Sequence, residues 1–260
     1  MPPTGLRLRA INVFLCGLTK MVSMNLPDEH LKEQERIRSV YRAWLADERV
    51  HAYAWHRADI MEQHAARLRV AGSMLASTIG PDLARLRIVD VGCGSGGFLR
   101  QLINWGADPA KLAGTEYLQD RLEQARLRSA PAVRWHLGDL DFTPAGSVDL
   151  VIANTVFSSI LTPCARAALA ADMWRALAPG GWCMLFDFRY NNPHNPNVRR
   201  VSRAELSQWW PAERQRYQSL LLAPPIARRL AGAPRLLGEL LTTFVPPLRS
   251  HFIYMGRKPG

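Results

Sequence analysis

The sequence predicts an α/β fold built on a doubly wound, mostly parallel sheet. Short apolar runs alternate with amphipathic segments between residues 87 and 188, an order typical of successive β-α-β units. The first apolar run ends in the glycine-rich stretch DVGCGSGG at residues 90–97. Proline and glycine, including Pro-Gly-Gly at residues 179–181, separate the later segments. A length of 260 residues suffices for one substantial core.

The elements follow in chain order from the period of the apolar residues and from the turn-forming residues between them. Helices are predicted over residues 29–46, 57–78, 97–105, 119–129, 163–177 and 203–210. Strands are predicted over residues 87–91, 111–115, 133–137, 148–153, 182–188, 217–222 and 251–258. Residues 223–248 are apolar, basic and interrupted by proline, and we interpret them as a helical cap inserted between the last two strands.

The glycine-rich stretch predicts a nucleotide-type site at the carboxyl edge of the sheet. Gly92, Gly94 and Gly96 allow a sharp turn and a close approach of a ligand to the backbone. The helix that follows begins with free N–H groups. The spacing Gly92-x-Gly94-x-x-Gly97 also satisfies the dinucleotide fingerprint, which alone is a weak signal. Asp90 argues against a pyrophosphate, because a carboxylate beside the turn suits an ammonium group instead.

Two further acidic residues indicate which nucleotide is bound. Glu116 closes the second predicted strand and is placed to accept hydrogen bonds from both hydroxyls of a ribose. Asp139 follows the third predicted strand and can accept a hydrogen bond from an adenine amino group. A cofactor with an amino acid, a ribose and an adenine, but no phosphate, satisfies all three acids. The sequence therefore predicts S-adenosylmethionine as the cofactor.

Together these motifs resemble the core of the class I S-adenosylmethionine-dependent methyltransferases, of the small-molecule methyltransferase-11/25 type. The resemblance covers residues 86–188 and rests on DVGCGSG at 90–96, Glu116, Gly138-Asp139-Leu140, DLVIANTVFSSI at 149–160 and LAPGGWCMLFDF at 177–188. It implies a Rossmann-like seven-stranded sheet whose last strand is antiparallel. It also implies N-terminal helices that fold over the cofactor as a lid.

The resemblance assigns the site residues by their positions in these motifs. The implied cofactor-binding residues are Asp90, Gly92, Gly94, Gly96, Glu116, Tyr117, Asp139, Leu140 and Asn154. The acceptor is expected where the fourth and fifth strands end, under aromatic side chains from the N-terminal helices. The substrate residues assigned on this basis are Tyr41, Tyr53, Phe157, Arg189, Tyr190 and Asn192.

Methyl transfer from a sulfonium makes few demands on catalytic side chains. The leaving group needs no activation, so the protein must mainly align donor and acceptor and exclude water. A base is needed only where the acceptor loses a proton, as a sugar hydroxyl does. His194 and Asp187 are the candidate catalytic residues, because they lie in the polar stretch FDFRYNNPHNPNVR. Ordinary loop roles remain open, since a loop histidine is often solvated and Asp187 could pair with a neighbouring arginine.

We expect an enzyme that methylates a small molecule, with O-methylation of a sugar, a polysaccharide precursor or a secondary-metabolite intermediate as the leading hypothesis. The alternatives are an N- or C-methyltransferase of a natural product or a lipid-linked substrate, an RNA methyltransferase, and a non-catalytic cofactor-binding protein. The net charge of +11 suggests RNA. However, ANTVF at residues 153–157 replaces the Asn-Pro-Pro-Tyr type of amine-binding motif. We therefore expect no nucleic-acid partner.

The chain is divided into an extension (1–27), a helical lid (28–80) and a methyltransferase domain (81–260). Four scattered cysteines without a C-x-x-C pair indicate a reducing cytoplasm and no metal site. No run reaches the roughly 20 apolar residues of a membrane-spanning helix. Residues 198–260 hold eleven basic and three acidic residues. This excess has two possible explanations. One is a compositional bias toward arginine, and the other is a surface for peripheral contact with a membrane or with a lipid-linked substrate.

Overall fold

The computed structural model describes residues 26–45, residue 54, residues 56–230 and residues 235–260. The strands are β1 (Ile88–Val91), β2 (Leu112–Glu116), β3 (Arg134–Leu137), β4 (Val148–Asn154), β5 (Leu177–Phe188), β6 (Arg214–Leu222) and β7 (Arg249–Arg257). The α-helices are α1 (Leu26–Leu45), α2 (Ala58–Thr78), α3 (Gly97–Asn104), α4 (Gln119–Arg128), α5 (Pro163–Ala176), α6 (Arg203–Trp209), α7 (Pro224–Arg229) and α8 (Arg235–Phe244). Short 3₁₀ turns occupy Pro109–Lys111, Phe157–Ser159 and Pro246–Leu248.

The seven strands form one sheet in the order β3-β2-β1-β4-β5-β7-β6. Strands β1 to β5 pair in parallel, and β7 is antiparallel to both β5 and β6. The predicted fold class, including the antiparallel last strand, is confirmed. The order of the strands along the sheet reverses between β1 and β4, and this is the position where doubly wound sheets open a ligand crevice.

Helices cover both faces of the sheet and bury two apolar layers. Met74 and Leu75 of α2 pack with Leu99 and Leu102 of α3 on one face. The other face is covered by α5 and by the aromatic side chain of Trp210. Every residue of β1 is buried, as expected for a central strand that is covered on both sides. Because β1 to β5 run in parallel, their carboxyl ends lie at one edge of the sheet.

Three strands begin earlier than the sequence predicts, and for β7 the difference is only two residues, Arg249 instead of residue 251. β5 begins at Leu177 instead of residue 182, because the Pro-Gly-Gly stretch lies within a paired strand. The register with β4 shifts there, from Val148–Leu177 to Leu150–Trp182. β6 begins at Arg214 instead of residue 217. It is an edge strand with exposed polar residues at its start, so its composition resembled that of a loop.

A fully buried arginine fixes the segments that follow β4 and β5. Arg166 of α5 has 0% exposure. Its guanidinium donates hydrogen bonds to the carbonyl oxygens of Phe157 (3.1 Å) and Arg200 (3.0 Å). It also pairs with the Glu205 carboxylate at 2.6 Å. Arg166 therefore ties both segments at the carboxyl edge to α6. Among the described helices, none is long and apolar enough to cross a membrane.

Candidate active site

The turn after β1 requires glycine at three positions. Gly92, Gly94 and Gly96 have φ angles of +61°, +56° and +75°, in the left-handed region that favours glycine. A Cβ at Gly92 would lie 2.7 Å from Val156, and one at Gly96 would lie 2.6 Å from Trp135. A Cβ at Gly94 would meet no atom closer than 3.8 Å. The backbone at Gly94 therefore faces open space.

A cavity of about 930 Å³, a volume that includes space open to solvent, lies at the carboxyl edge of β1, β2 and β4. Both acidic positions predicted beyond the turn contribute to its wall. The lining from the sheet side includes Gly92, Glu116, Tyr117, Asp139, Asn154 and Thr155. The lining from α1 consists of Glu33, Gln34, Ile37 and Tyr41. The cavity thus lies between the sheet edge and the first described helix.

Glu116 is fixed by three backbone N–H groups. Its carboxylate accepts hydrogen bonds from the N–H groups of Gly94 (3.0 Å), Tyr117 (2.7 Å) and Leu118 (3.1 Å). The residue is only 8% exposed, yet it lines the cavity. Carboxylate oxygens accept more than one hydrogen bond each, so capacity remains for hydroxyl groups in the cavity. Sequence reasoning gave Glu116 a ligand role but missed this structural one.

Asp139 accepts hydrogen bonds from two side chains in the cavity wall. The Tyr117 hydroxyl donates to its Oδ1 atom, and Gln34 Nε2 donates to its Oδ2 atom at 3.0 Å. Burial and the neighbouring Asp139 carboxylate raise the pKa of Tyr117, so the phenol stays protonated and remains a donor. Asp139 therefore joins the β2 and β3 ends to α1.

Asp90 is buried below the cavity and is connected to it by Asn154. Asp90 is 1% exposed, and its Oδ1 atom accepts a hydrogen bond from Asn154 Nδ2 at 3.3 Å. The Asn154 side chain lines the cavity, and its Oδ1 atom is buried without a partner. Burial raises the pKa of Asp90 to about 7, against the opposing charge of Arg67. An unpaired oxygen above a buried carboxylate fits an ammonium group.

The remaining predicted cofactor residues do not line the cavity. Gly94 and Gly96 shape the turn, and Gly94 holds Glu116 through its N–H group. Leu140 is 1% exposed and packs in the apolar layer beneath α5. Its side chain serves packing, so its assignment as a cofactor-binding residue stays a prediction.

Three of the predicted substrate residues precede β5, and their outcomes differ. Tyr41 lines the cavity, and its hydroxyl is 3.1 Å from Ser159 Oγ. Phe157 has 0% exposure and stacks on Trp209 with a centroid distance of 4.8 Å. It belongs to the core, so its assignment to the acceptor site is wrong. Tyr53 lies outside the described residues.

Asp187 is not available as a base in this structure. It has 0% exposure, and its two oxygens accept hydrogen bonds from the N–H groups of Ser158 (3.1 Å) and Phe188 (2.8 Å). Burial raises its pKa to about 6, against these hydrogen bonds. The carboxylate joins the ends of β4 and β5, which corrects its assignment as a catalytic residue.

The polar loop after β5 also lies outside the cavity lining. His194 is exposed, and its backbone N–H donates to Asn192 Oδ1 at 3.0 Å, so Asn192 closes a local turn. Arg189 donates to the carbonyl oxygens of Pro246 (3.0 Å) and Arg249 (2.7 Å). Tyr190 packs beneath that guanidinium and is 44% exposed. These contacts stabilise the loop, which corrects the assignment of this group to the acceptor and catalytic site.

Sequence reasoning identified Tyr41 but missed the other cavity-facing residues of α1. Glu33, Ile37 and Tyr41 are spaced by four residues, so they share one helix face. Glu33 accepts a hydrogen bond from the Leu161 N–H at 2.6 Å. Burial opposes its ionisation, but Arg36 and Leu161 hold the pKa of Glu33 below its usual value. The spacing was visible in the sequence, but nothing there identified this face as the one toward the sheet edge.

Replacing Gly94 with valine tests whether the open space at the turn holds a ligand. The new side chain would fill space that only Arg121 approaches, and its positive φ adds strain of about 1–2 kcal/mol. We expect calorimetric binding of S-adenosylhomocysteine to be lost while the protein remains folded by circular dichroism. The control is Gly106→Val, at another positive φ (+96°) with no atom near the Cβ position. Equal binding by both variants would contradict a ligand at Gly94.

Comparisons with known proteins agree with this geometry. A family model described as a methyltransferase domain matches residues 88–181. The biotin biosynthesis bifunctional protein BioHC of Cellvibrio japonicus is 33% identical over 116 residues, 44% of this chain and 22% of that protein. An uncharacterized 37.1 kDa protein in transposon TN4556 of Streptomyces fradiae is 34% identical over 97 residues, 36% of this chain and 27% of that protein. The matches thus span about a quarter of these relatives.

Solved structures share the fold at low sequence identity. Phosphoethanolamine N-methyltransferase 1 of Haemonchus contortus, in complex with phosphoethanolamine and S-adenosylhomocysteine, has a TM-score of 0.58 at 15% identity, covering 88% of this chain and 49% of that chain. Geranyl diphosphate C-methyltransferase of Streptomyces coelicolor A3(2) has a TM-score of 0.53 at 15% identity, covering 74% and 77%. These structures share the fold of this chain, and residues 88–181 match the methyltransferase domain model.

Proposed function

We propose that the protein transfers a methyl group from S-adenosylmethionine to a small-molecule acceptor. The observation that carries this proposal is the convergence of Gly92, Glu116, Asp139 and Asn154 on one cavity. Glu116 would hold the ribose hydroxyls, and Asp139 the adenine amino group. Asn154, with its unpaired Oδ1 atom above Asp90, would hold the ammonium group. The cofactor supplies an electrophilic methyl group on a sulfonium.

We further propose that α1 acts as a lid that opens for the cofactor. Gln34 donates a hydrogen bond at 3.0 Å to the Asp139 carboxylate, the group proposed here to hold the adenine amino group. On the other side, Arg36 donates to the Ser159 carbonyl oxygen at 2.5 Å. The helix thus contacts the ends of β3 and β4 together. Once closed again over a ligand, it would exclude water from the reacting atoms.

The acceptor is proposed to be a hydroxylated small molecule, methylated on oxygen. Thr155 and Ser159 line the β4 side of the cavity beside Asn154, so this wall offers neutral donors and acceptors that suit hydroxyl groups. A sugar, a polysaccharide precursor or a secondary-metabolite intermediate has this chemistry. N- and C-methylation remain the alternatives. A screen with labelled methyl donor against these three acceptor classes tests the proposal, and labelling of amines alone would overturn O-methylation.

The raised pKa of Asp90 predicts pH-dependent cofactor binding. Its pKa of about 7 means that the carboxylate becomes negative between pH 6 and pH 8. An ammonium group binds the ionised form better, so the affinity for S-adenosylhomocysteine should rise with pH across this range, by up to about tenfold per pH unit below the pKa. Calorimetry at several pH values measures this, and a flat profile in wild type would contradict it. Asp90→Asn should abolish the dependence.

The same ionisation has the opposite sign for stability without ligand. The folded-state pKa lies above the unfolded value of 3.8, so the folded protein holds the extra proton between these values. Stability contributed by protonated Asp90 is therefore lost as the pH rises toward 7. Urea unfolding should show Asp90→Asn at least as stable as wild type at pH 8, although it binds the cofactor worse.

Peripheral contact with an anionic membrane is proposed for the segment between β6 and β7. Phe244 and Leu240 of α8 are 74% and 43% exposed, and Arg229 of α7 is exposed as well. A segment that exposes both apolar and arginine side chains favours anionic lipid surfaces. Replacing Arg228 and Arg229 with serine should reduce flotation with phosphatidylserine vesicles and leave calorimetric cofactor affinity unchanged. If the double variant floats with the vesicles as wild type does, the positive charge of this segment reflects only a compositional bias toward arginine.

A further inference from the structure

Three hydroxyl groups lie together on the α1 and β4 side of the cavity. The Tyr41 hydroxyl lies 3.1 Å from Ser159 Oγ, and Ser159 Oγ lies 3.1 Å from the carbonyl oxygen of Thr155. The Thr155 hydroxyl lies 2.7 Å from the carbonyl oxygen of Asn154. Tyr41, Thr155 and Ser159 all line the cavity, and each is half-buried. The proposed cofactor contacts use none of these three hydroxyls.

The direction of each hydrogen bond follows from the chemistry of its partners. A carbonyl oxygen only accepts, so the Thr155 hydroxyl donates to Asn154 and the Ser159 hydroxyl donates to Thr155. A hydroxyl carries one proton, so Ser159 has none left for Tyr41, and the Tyr41 hydroxyl donates to Ser159 Oγ. All three protons are therefore engaged within the protein. Toward a ligand, these hydroxyls offer only the lone pairs of their oxygens.

The backbone of Thr155 fixes this arrangement. Its φ angle is +56°, in a region that a β-branched residue rarely adopts. Its N–H donates to the carbonyl oxygen of Phe186 at 2.7 Å, and its own carbonyl oxygen accepts the Ser159 hydroxyl. Strained backbone persists where surrounding contacts hold it, and it is concentrated at ligand sites. The fold therefore sets the orientation of the three hydroxyls.

The charges of the cavity lining also disfavour an anion. Within the described residues, the carboxylates and the guanidinium of the lining belong to Glu33, Glu116, Asp139, Asp172 and Arg121. Two of these carboxylates pair with arginines outside the lining, Glu33 with Arg36 at 2.8 Å and Asp172 with Arg175 at 3.4 Å. The guanidinium of Arg121 lies 4.7 Å from the ring centroid of Tyr41. The two other carboxylates outweigh this single cation, so the balance is negative.

The donor groups of the cofactor are already assigned in the proposed function. Glu116 holds the ribose hydroxyls, Asp139 the adenine amino group and Asn154 the ammonium group. Thr155 directly follows Asn154 in the chain, so the three hydroxyls adjoin the proposed amino-acid end of the cofactor. The reactive methyl group belongs to the sulfonium between the ribose and that end. The lone pairs beside Asn154 are therefore left for the methyl acceptor.

We propose that the hydroxyl oxygens of Tyr41, Ser159 and Thr155 form a lone-pair wall, which selects a neutral methyl acceptor that donates hydrogen bonds from hydroxyl groups. Carboxylates and phosphates find no donor on this wall. Tyr41 is the specificity-determining residue, because its oxygen accepts the hydrogen bond of the hydroxyl. The wall orients this hydroxyl and does not deprotonate it, since its hydrogen bonds end on carbonyl oxygens. This inference rests on the proposed function and narrows its class of methyl acceptor.

Ligand-observed NMR with matched neutral and acidic probes tests the proposal. Wild type is saturated with S-adenosylhomocysteine and titrated with glucose against glucuronate, and with catechol against 3,4-dihydroxybenzoate. We expect the neutral member of at least one pair to bind. Its acidic counterpart should bind about tenfold more weakly or worse, because a carboxylate that loses water gains no donor. Equal or tighter binding of the acid, or no binding of either neutral probe, would overturn the proposal.

Tyr41→Phe removes the hydroxyl and keeps the aromatic ring. It should weaken binding of the neutral probe about fivefold, the scale of one neutral hydrogen bond, and leave the affinity for S-adenosylhomocysteine unchanged. The matched control is Tyr190→Phe, the same change at an exposed residue outside the cavity lining, which should bind as wild type does. If Tyr41→Phe loses affinity for S-adenosylhomocysteine and none for the probe, Tyr41 serves the cofactor and the proposal is wrong.

Ser159→Ala tests the direction of the hydrogen bonds. Without Ser159 Oγ, the Tyr41 proton becomes available to the cavity, so Tyr41 gains a donor for a carboxylate. The preference for the neutral probe over the acid should then fall by about threefold or more, the scale of one hydrogen bond, and an unchanged preference would contradict the proposal. Melting temperatures check folding, and Tyr41→Phe carries the test if Ser159→Ala does not fold. Failure of wild type to bind S-adenosylhomocysteine refutes the proposed function instead, and the probe titrations can still be made without it.

Discussion

Replacing Arg166 with methionine is expected to lower the free energy of unfolding by about 3–5 kcal/mol, the range for breaking a buried ion pair from one side. Arg166 has 0% exposure and pairs with Glu205 at 2.6 Å. Methionine would leave the Glu205 carboxylate and the carbonyl oxygens of Phe157 and Arg200 without this donor. Urea unfolding followed by circular dichroism measures the change.

The exposed Arg128→Met variant is the matched control, because Arg128 lies at a helix surface. Its effect should stay within about 0.5 kcal/mol. A double variant with Glu205→Gln should lose less than the sum of the two single losses, since the residues share one interaction. If Arg166→Met lowers the free energy of unfolding by less than about 1 kcal/mol, the expectation is contradicted. Such a small loss would mean that water replaces the guanidinium, because an unsatisfied buried group typically costs more than that.

Replacing Glu116 with alanine is expected to weaken S-adenosylhomocysteine binding by about 2–3 kcal/mol, the scale of hydrogen bonds to a charged group. Stability should also fall, because Gly94, Tyr117 and Leu118 each lose the acceptor of a backbone N–H group. Glu116→Gln keeps a neutral acceptor for the backbone N–H groups. Its stability should therefore stay closer to the wild-type value than its affinity for S-adenosylhomocysteine does. Calorimetry and urea unfolding of both variants measure the two effects.

The exposed Glu123→Gln variant controls for the loss of one negative charge near the site. It should bind and unfold as wild type does. An unchanged dissociation constant in Glu116→Ala would mean that the ribose is held elsewhere. A stability loss without any binding loss would reduce Glu116 to its structural role in the turn.

The cavity floor was predictable from the sequence because local rules determine it. The turn at residues 90–97 combines a buried strand, positive φ angles and a helix start, and each leaves a signature in adjacent residues. Glu116 and Asp139 could be located in the same way, since each follows a short strand. The parallel sheet then brings these separate positions to one edge.

The acceptor side was not predictable, because its contacts join residues far apart in the chain. Asp187 was a candidate base or the partner of a neighbouring arginine, but in the structure the N–H groups at the ends of β4 and β5 engage both of its oxygens. Phe157 looked like a cover for the acceptor, but it packs against Trp209 in the core. Arg67 and His251 come together only through the packing of α2 on the sheet. The periodicity of apolar residues along the chain does not show which distant residues contact one another.

Calorimetric titration of the wild-type protein with S-adenosylhomocysteine and, separately, with NAD tests the central claim most directly. The cavity lined by Glu116, Asp139 and Asn154 predicts one micromolar site for S-adenosylhomocysteine, weaker binding in Glu116→Ala, and no comparable site for NAD. Tight binding of NAD by folded protein that does not bind S-adenosylhomocysteine would contradict the account.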